Sequence, residues 1–248
     1  MKRKFIVVIS TCFMISLCLI FGTKCKAADK SVFISDANAY GFYISSDFTP
    51  YKTDGFETFQ YIYEEKNTVN YETDIVHVLL RNDNDPSLWC YLYRVTTSPL
   101  QVRYWGFIGF GSHSDDWSTK KVRTTINFND GYNIINYAPQ NSPRKETRSI
   151  GVGFGVDGPS ISASVNYDHN ELTVTSNTKT ASNKYETVYD FNGYNSFTKG
   201  DYYSYGMVMF KHIGEASIDV EYEVGYYGNG WYKYHTYAPS THFYNFTL

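Results

Sequence analysis

The feature that most constrains this chain is an alternation of period two. Phe56-Glu57-Thr58-Phe59-Gln60-Tyr61-Ile62-Tyr63, Val122-Arg123-Thr124-Thr125-Ile126-Asn127-Phe128 and Ile218-Asp219-Val220-Glu221-Tyr222-Glu223-Val224 alternate aromatic or β-branched residues with polar ones. Successive side chains of a strand point to opposite faces, so these segments read as half-buried β-strands. Turn signals recur between them at Asn82-Asp83-Asn84-Asp85-Pro86, Asn129-Asp130-Gly131, Asp157-Gly158-Pro159 and Gly228-Asn229-Gly230. No segment carries the caps and spacing of a helix. The chain is expected to be all-β, an antiparallel sandwich or barrel. No repeat or linker divides residues 28–248, which are expected to form one domain.

The first 27 residues read as a secretory signal peptide. Met1-Lys2-Arg3-Lys4 is a basic head, Phe5 to Phe21 an apolar run, and Lys24-Cys25-Lys26-Ala27-Ala28 an exit of small residues. Cleavage is expected after Ala27, with Ala28 the second choice, and the product is expected to be secreted; the rival reading of the apolar run is an uncleaved membrane anchor. Five of the 22 basic residues leave with the signal, so 17 remain against 25 acidic ones, a net charge near −8. That balance argues against nucleic acid and against adsorption to anionic lipid. Cys12, Cys18 and Cys25 also leave. Cys90 remains without an intramolecular partner, and its setting in Leu88-Trp89-Cys90-Tyr91-Leu92 reads as a buried thiol. A core of about 220 residues, rather than disulfides, must hold the fold.

Catalytic signatures are missing. There is no Gly-x-Ser-x-Gly, His-Glu-x-x-His, Cys-x-x-Cys or phosphate-binding glycine loop. His113 beside Asp115 and Asp116 reads as a solvated loop. Asp83-Asn84-Asp85 begins like a calcium loop but has Leu88 in place of its glycine and Arg94 in place of its bidentate glutamate. No cofactor, no metal and no enzymatic activity are expected.

The unusual segment runs from Arg148 to Asp168. Folding its two arms over Asp157-Gly158-Pro159-Ser160 sets Val156 opposite Ile161, Phe154 opposite Ala163, Val152 opposite Val165 and Ile150 opposite Tyr167. All eight are apolar and share a face. The other face carries Ser149, Gly151, Gly153, Gly155, Ser162, Ser164, Asn166 and Asp168. A hairpin with one dry and one wet face is ordinary in antiparallel sheets. A wet face made almost wholly of glycine and serine is not, because each glycine weakens a strand by roughly 0.5–1 kcal/mol. Close packing of the small face is one reason to carry it, against the protein body in one state and around a narrow lumen in another. Nine residues at ~3.4 Å each reach ~30 Å, which at ~40° tilt spans nearly the apolar band of a membrane barrel. Unpaired edge groups bar a single hairpin from lipid, so several copies must close a barrel together.

The flanks of this hairpin carry a family resemblance. Trp117, Lys121-Val122 and Ile135-Asn136-Tyr137-Ala138-Pro139-Gln140-Asn141-Ser142 precede it. Met207-Val208-Met209-Phe210-Lys211 and Ala216-Ser217-Ile218-Asp219-Val220-Glu221-Tyr222-Glu223 follow it. In order and spacing, over residues 117–176 and 205–237, the chain resembles the leukocidin/haemolysin family of β-barrel pore-forming toxins. The resemblance implies an antiparallel β-sandwich cap with a central amphipathic stem hairpin at 148–168 and a rim that meets lipid. It implies a cytolysin that oligomerises, with itself or a related subunit, on a zwitterionic or receptor-bearing target membrane. Ile150, Val152, Phe154, Val156, Ile161, Ala163, Val165 and Tyr167 would face lipid, and the glycine-serine face the lumen. Only about 30 residues separate Ser176 from Met207, so the family's rim is abbreviated. Tyr194, Phe197, Tyr202, Tyr203, Trp231 and Tyr232 are the candidates to replace it. The alternative is a secreted carbohydrate- or surface-binding module, using Tyr226-Tyr227-Gly228-Asn229-Gly230-Trp231-Tyr232 as a sugar face. A secreted hydrolase ranks third.

Overall fold

A computed structural model describes residues 30–51, 56–65, 68–99, 101–105, 112–128, 131–155, 158–191, 201–213, 217–229 and 235–247. The expected signal peptide lies outside the described residues.

The described chain is two β-sheets stacked face to face, as the alternation requires. The first sheet has the order β1 (Phe42–Ile44), β9 (Ser142–Gly155), β10 (Gly158–Ser176), β11 (Lys184–Phe191), β7 (Ser112–Phe128), β13 (Ser217–Asn229) and β14 (His235–Thr247). A short β6 (Gln101–Trp105) also pairs with β7. The second sheet has the order β2 (Phe48–Pro50), β4 (Thr68–Asn82), β5 (Leu88–Pro99), β12 (Tyr202–Lys211) and β8 (Asn133–Ala138), with β3 (Glu57–Glu65) on β4. Among the described strands every pairing is antiparallel except β1 with β9.

Between the sheets lies a core rich in tyrosine. Tyr71, Ile75 and Leu79 of β4, Tyr91 and Tyr93 of β5 and Phe210 of β12 meet Val122 and Ile126 of β7, Tyr185 and Tyr189 of β11 and Tyr222 of β13. A buried hydroxyl must find a partner, and these find one another. Tyr91 Oη lies 2.7 Å from Tyr222 Oη, and Tyr93 Oη 3.0 Å from Tyr185 Oη. Tyr185 donates to the Ala138 carbonyl at 2.9 Å and Tyr189 to the Tyr205 carbonyl at 2.6 Å. Gly206 stands directly across from Tyr93, and a Cβ there would fall 2.0 Å from the Tyr93 hydroxyl. Only glycine fits.

The second sheet is buried on its other face as well. Val76, Val78 and Leu80 of β4, Leu88, Cys90 and Leu92 of β5 and Met207 and Met209 of β12 form a second apolar layer. A strand covered on both faces is apolar without alternation. That accounts for Ile75-Val76-His77-Val78-Leu79-Leu80 and Leu88-Trp89-Cys90-Tyr91-Leu92. Cys90 is fully buried, as its setting predicts, and burial pushes its thiol well above the ordinary range.

One element was not expected. Lys30–Ala39 is an α-helix, α1, which buries Phe33 and Ala37 in this second layer. The four-residue spacing of those two side chains was its sequence signal. Gly41, at φ +83°, turns the chain out of the helix into β1, the role of a glycine just past a helix end.

Candidate membrane-insertion hairpin

β9 and β10 form the long hairpin expected around residues 148–168. Its base belongs to the sandwich: Leu172 to Ser176 pair with Thr187 to Phe191 of β11, and Ser142 and Pro143 pair with Val174 and Thr173. Beyond the base the ladder breaks. Asp168 pairs with Lys145, but the next pair toward the base is Thr173 with Pro143. Four residues of β10 thus stand against Arg144 alone. Past this surplus the distal hairpin lies over the outer face of the second sheet.

There it acts as a cover. Ile150 and Val152, 0% and 3% exposed, complete the layer formed by Leu92, Met207 and Met209. At about 1.5–3 kcal/mol for each aliphatic side chain buried, the two favour docking by roughly 3–6 kcal/mol. Strand β1 clips the cover in place. Phe42, Tyr43 and Ile44 run parallel to Ile150, Gly151 and Val152. Ile150 N–H donates to the Gly41 carbonyl at 3.1 Å, and Ser45 N–H donates to the Val152 carbonyl at 2.9 Å.

The clip is itself anchored by rings and charge. Phe56 stacks on Phe33 at 5.2 Å and on Phe42 at 5.5 Å between centroids. The Arg94 guanidinium lies 5.0 Å from the Tyr40 ring and 5.4 Å from the Tyr203 ring, and its Nη1 donates to the Tyr40 carbonyl at 3.3 Å. A Cβ on Gly41 would meet the Tyr205 hydroxyl at 2.8 Å. Lys30 pairs with Asp83 at 2.8 Å at the start of the helix.

The structure changes the expected pairing. Val152 is opposite Ile161 rather than Val165, and Ile150 is opposite Ala163 rather than Tyr167. β10 resumes at Gly158, so Gly158, Pro159 and Ser160 are strand residues and not the turn read from the sequence. The partners of Val152 and Ile150 have each moved by four positions, while Val165, at a register irregularity, pairs with Thr147. An even shift keeps a residue on its own side of the sheet. Gly151 therefore pairs with Ser162 instead of Asn166, and Ser149 with Ser164 instead of Asp168.

A second expectation is corrected. The face that packs on the protein body is the apolar one, through Ile150 and Val152, rather than the glycine-serine face. At Gly153 a Cβ would lie 3.4 Å from Ser160 Oγ, an ordinary contact. Packing in this state does not demand glycine there. Val156 lies outside the described residues. Phe154, Ala163, Val165, Tyr167, Gly155 and Asp168 are placed by backbone register, and Asn166 falls at the register irregularity between Val165 and Tyr167.

The rim candidates divide. Tyr202, 2% exposed, packs edge-on to Phe191 at 4.8 Å within the sandwich core. It is removed from the rim, because β12 turns it inward. Its neighbour Tyr203 points outward, 38% exposed, with Arg94 beneath it. Tyr194, Phe197, Trp231 and Tyr232 lie outside the described residues. β11 joins the first sheet, so Lys184–Phe191 of the short stretch between Ser176 and Met207 belongs to the sandwich. The sugar-face reading loses Tyr226, which is fully buried and shares a 2.6 Å hydrogen bond with Thr73.

No family model matches the chain, and no curated protein matches it in sequence. Solved structures do resemble it. One described as a pore forming protein shares 13% identity over 81% of this chain and 94% of its own, with a TM-score of 0.40. The Clostridium perfringens delta-toxin shares 11% over 82% and 93%, with a TM-score of 0.41. The Clostridium perfringens NetB toxin in the membrane inserted form shares 13% over 77% and 95%, with a TM-score of 0.37. Of these three solved structures, one is described as a pore forming protein and two as Clostridium perfringens toxins.

Proposed function

We propose that this chain is a secreted pore-forming toxin whose β9–β10 hairpin leaves the outer face of the second sheet and joins those of other copies in a transmembrane β-barrel. One observation carries the reading. The distal hairpin is two-faced and docked on the sandwich; its base pairs with β11, and beyond the base its one neighbouring strand among the described residues is the three-residue β1. It can detach without unpairing the strands that hold the two sheets together. The apolar face that covers the sheet in the folded-back state is the face that meets lipid in the inserted one. The glycine-serine face then lines the lumen, where small side chains suit a narrow bore. Copies of this chain, or of a related subunit, satisfy one another's strand edges, as lipid requires. With net charge near −8 after cleavage, the target is a zwitterionic or receptor-bearing membrane rather than an anionic one.

The test is release of an entrapped dye from phosphatidylcholine vesicles, and from vesicles made of target-cell lipid extract, with electron microscopy for rings. Release accompanied by detergent-resistant oligomers is the expected result. Intact vesicles of both kinds, with the protein bound or unbound but never oligomeric, would sink the proposal.

A further inference from the structure

We infer that the hairpin changes register when it inserts, with β10 sliding four residues along β9 and Asp157-Gly158-Pro159-Ser160 becoming the turn. This rests on the pore-forming reading and specifies how its hairpin is held in reserve.

Two features of the folded-back hairpin fit poorly with a barrel wall. The first is the apolar band. Val165 is paired with Thr147 and Tyr167 with Glu146, so two apolar positions of β10 stand opposite polar ones of β9. A slide of four sets Tyr167 opposite Ile150 and, with the local irregularity at Val165 smoothed out, Val165 opposite Val152. All eight apolar positions then form four consecutive pairs, from Val156 with Ile161 to Ile150 with Tyr167. The second is Pro159, which pairs with Phe154 inside β10. Proline has no N–H to donate and is tolerated at a sheet edge. In a closed barrel β10 has a neighbour on each side, and lipid leaves a missing bond uncompensated. The slide moves Pro159 into the turn. The four residues Asp157-Gly158-Pro159-Ser160 are of the types that turns prefer.

The slack for such a slide is already present. Between Asp168 and Thr173 β10 holds three more residues than β9 does between Lys145 and Pro143. Sliding by four converts that surplus into one extra residue on β9, at Arg144, which is an ordinary β-bulge. Because four is even, no side chain changes face. Odd slides are excluded, since they would turn glycine and serine toward lipid.

Paired cysteines distinguish the registers in a Cys90→Ala background. Ser149→Cys with Ser164→Cys joins residues opposite one another in the folded-back state. Ser149→Cys with Asp168→Cys joins residues opposite only after the slide. In the wrong register each pair is offset by ~14 Å along the strand, beyond the reach of a disulfide. The 149/164 pair is expected to oxidise in solution. Its oxidised form should release dye from phosphatidylcholine vesicles at least tenfold more slowly than its reduced form, with recovery on adding dithiothreitol. The 149/168 pair should cross-link within a chain only after vesicles are added, in the detergent-resistant oligomer. Oxidised 149/164 that permeabilises as fast as its reduced form overturns the slide. So does failure of 149/168 to cross-link in active oligomers, which decides the matter even if the 149/164 variant does not fold. If the unsubstituted chain and every reduced variant leave vesicles intact, the pore-forming reading itself falls, and the slide with it.

Discussion

Replacing Phe42 by alanine probes whether the cover opens apart from the sandwich. Phe42 is fully buried, stacks on Phe56 at 5.5 Å, meets Tyr205 edge-on at 5.9 Å, and sits on the β1 backbone that pairs with Ile150. Truncating a buried phenylalanine costs about 3–5 kcal/mol. The lost contacts are with α1, β1 and the residues around them, so the cost weakens the clip on the hairpin. Cys90 reports the result, because it lies in the layer that the clip and hairpin cover and is the sole cysteine after residue 27. The assay is maleimide labelling of the chain beginning at Ala28, in urea concentrations below the unfolding transition. A loss of 3 kcal/mol in the opening equilibrium raises the labelling rate on the order of 100-fold, at 1.4 kcal/mol for each tenfold. The urea dependence locates the opening. Lifting one layer exposes far less surface than unfolding two sheets, so the slope of log rate against urea should be under half of the equilibrium m-value. A slope equal to the full m-value in both wild type and Phe42→Ala refutes the reasoning. Cys90 would then see reagent only when the whole sandwich unfolds, and the hairpin would have no independent release.

Three further outcomes follow from particular residues. Burial lowers the pKa of His77 to about 4, despite Glu57 Oε2 at 3.5 Å, because that carboxylate is nearly half exposed while the imidazole is enclosed. The folded pKa lies below the unfolded value of about 6.5, so this contribution is intact above pH 6.5 and is lost as pH falls toward 4. Its full size is about 3 kcal/mol, and His77→Gln should flatten the fall in Tm over that window; an identical fall in the variant contradicts it. Gly206→Ala forces Tyr93 from its site and should cost about 1–3 kcal/mol. Calorimetry should register a Tm drop of about 2–4 °C for each kcal/mol, and an unchanged Tm would show that the ring can yield. Adding phosphatidylserine to phosphatidylcholine vesicles at low salt should not increase binding, and strong binding that fades with salt would contradict the charge argument.

Much of this architecture was legible, and the misreadings have physical causes. Period-two alternation gave the sandwich strands directly, as at Val122-Arg123-Thr124-Thr125-Ile126. Strands β4 and β5 do not alternate, and their unbroken apolar runs were the sign of a second covered face. That face required a cover, which α1, β1 and the hairpin supply. The helix was missed because α1 has no acidic residue in its first turn and no basic one in its last, so only Phe33, Ala37 and the glycine after Tyr40 marked it. The faces of the hairpin were readable because they depend on parity alone. Its folded-back register was not, because it is set by docking on Met207 and Met209 and by the surplus at residues 169–172, neither of which is local. Tyr202 and Tyr203 are both aromatic neighbours on one strand. Only the sheet pairing decides which of them points inward.

The doubly covered second sheet also bears on where the protein can act. A molecule whose hairpin lifts away in free solution bares a continuous wall that includes Val78, Leu92, Met207 and Met209. Exposed apolar walls of that kind associate without discrimination. Release far from a membrane would therefore end in precipitation. On the proposed pore-forming reading, release within a ring would offer both lipid and neighbouring copies as cover, and premature firing would be self-limiting, a stray molecule being lost as an aggregate.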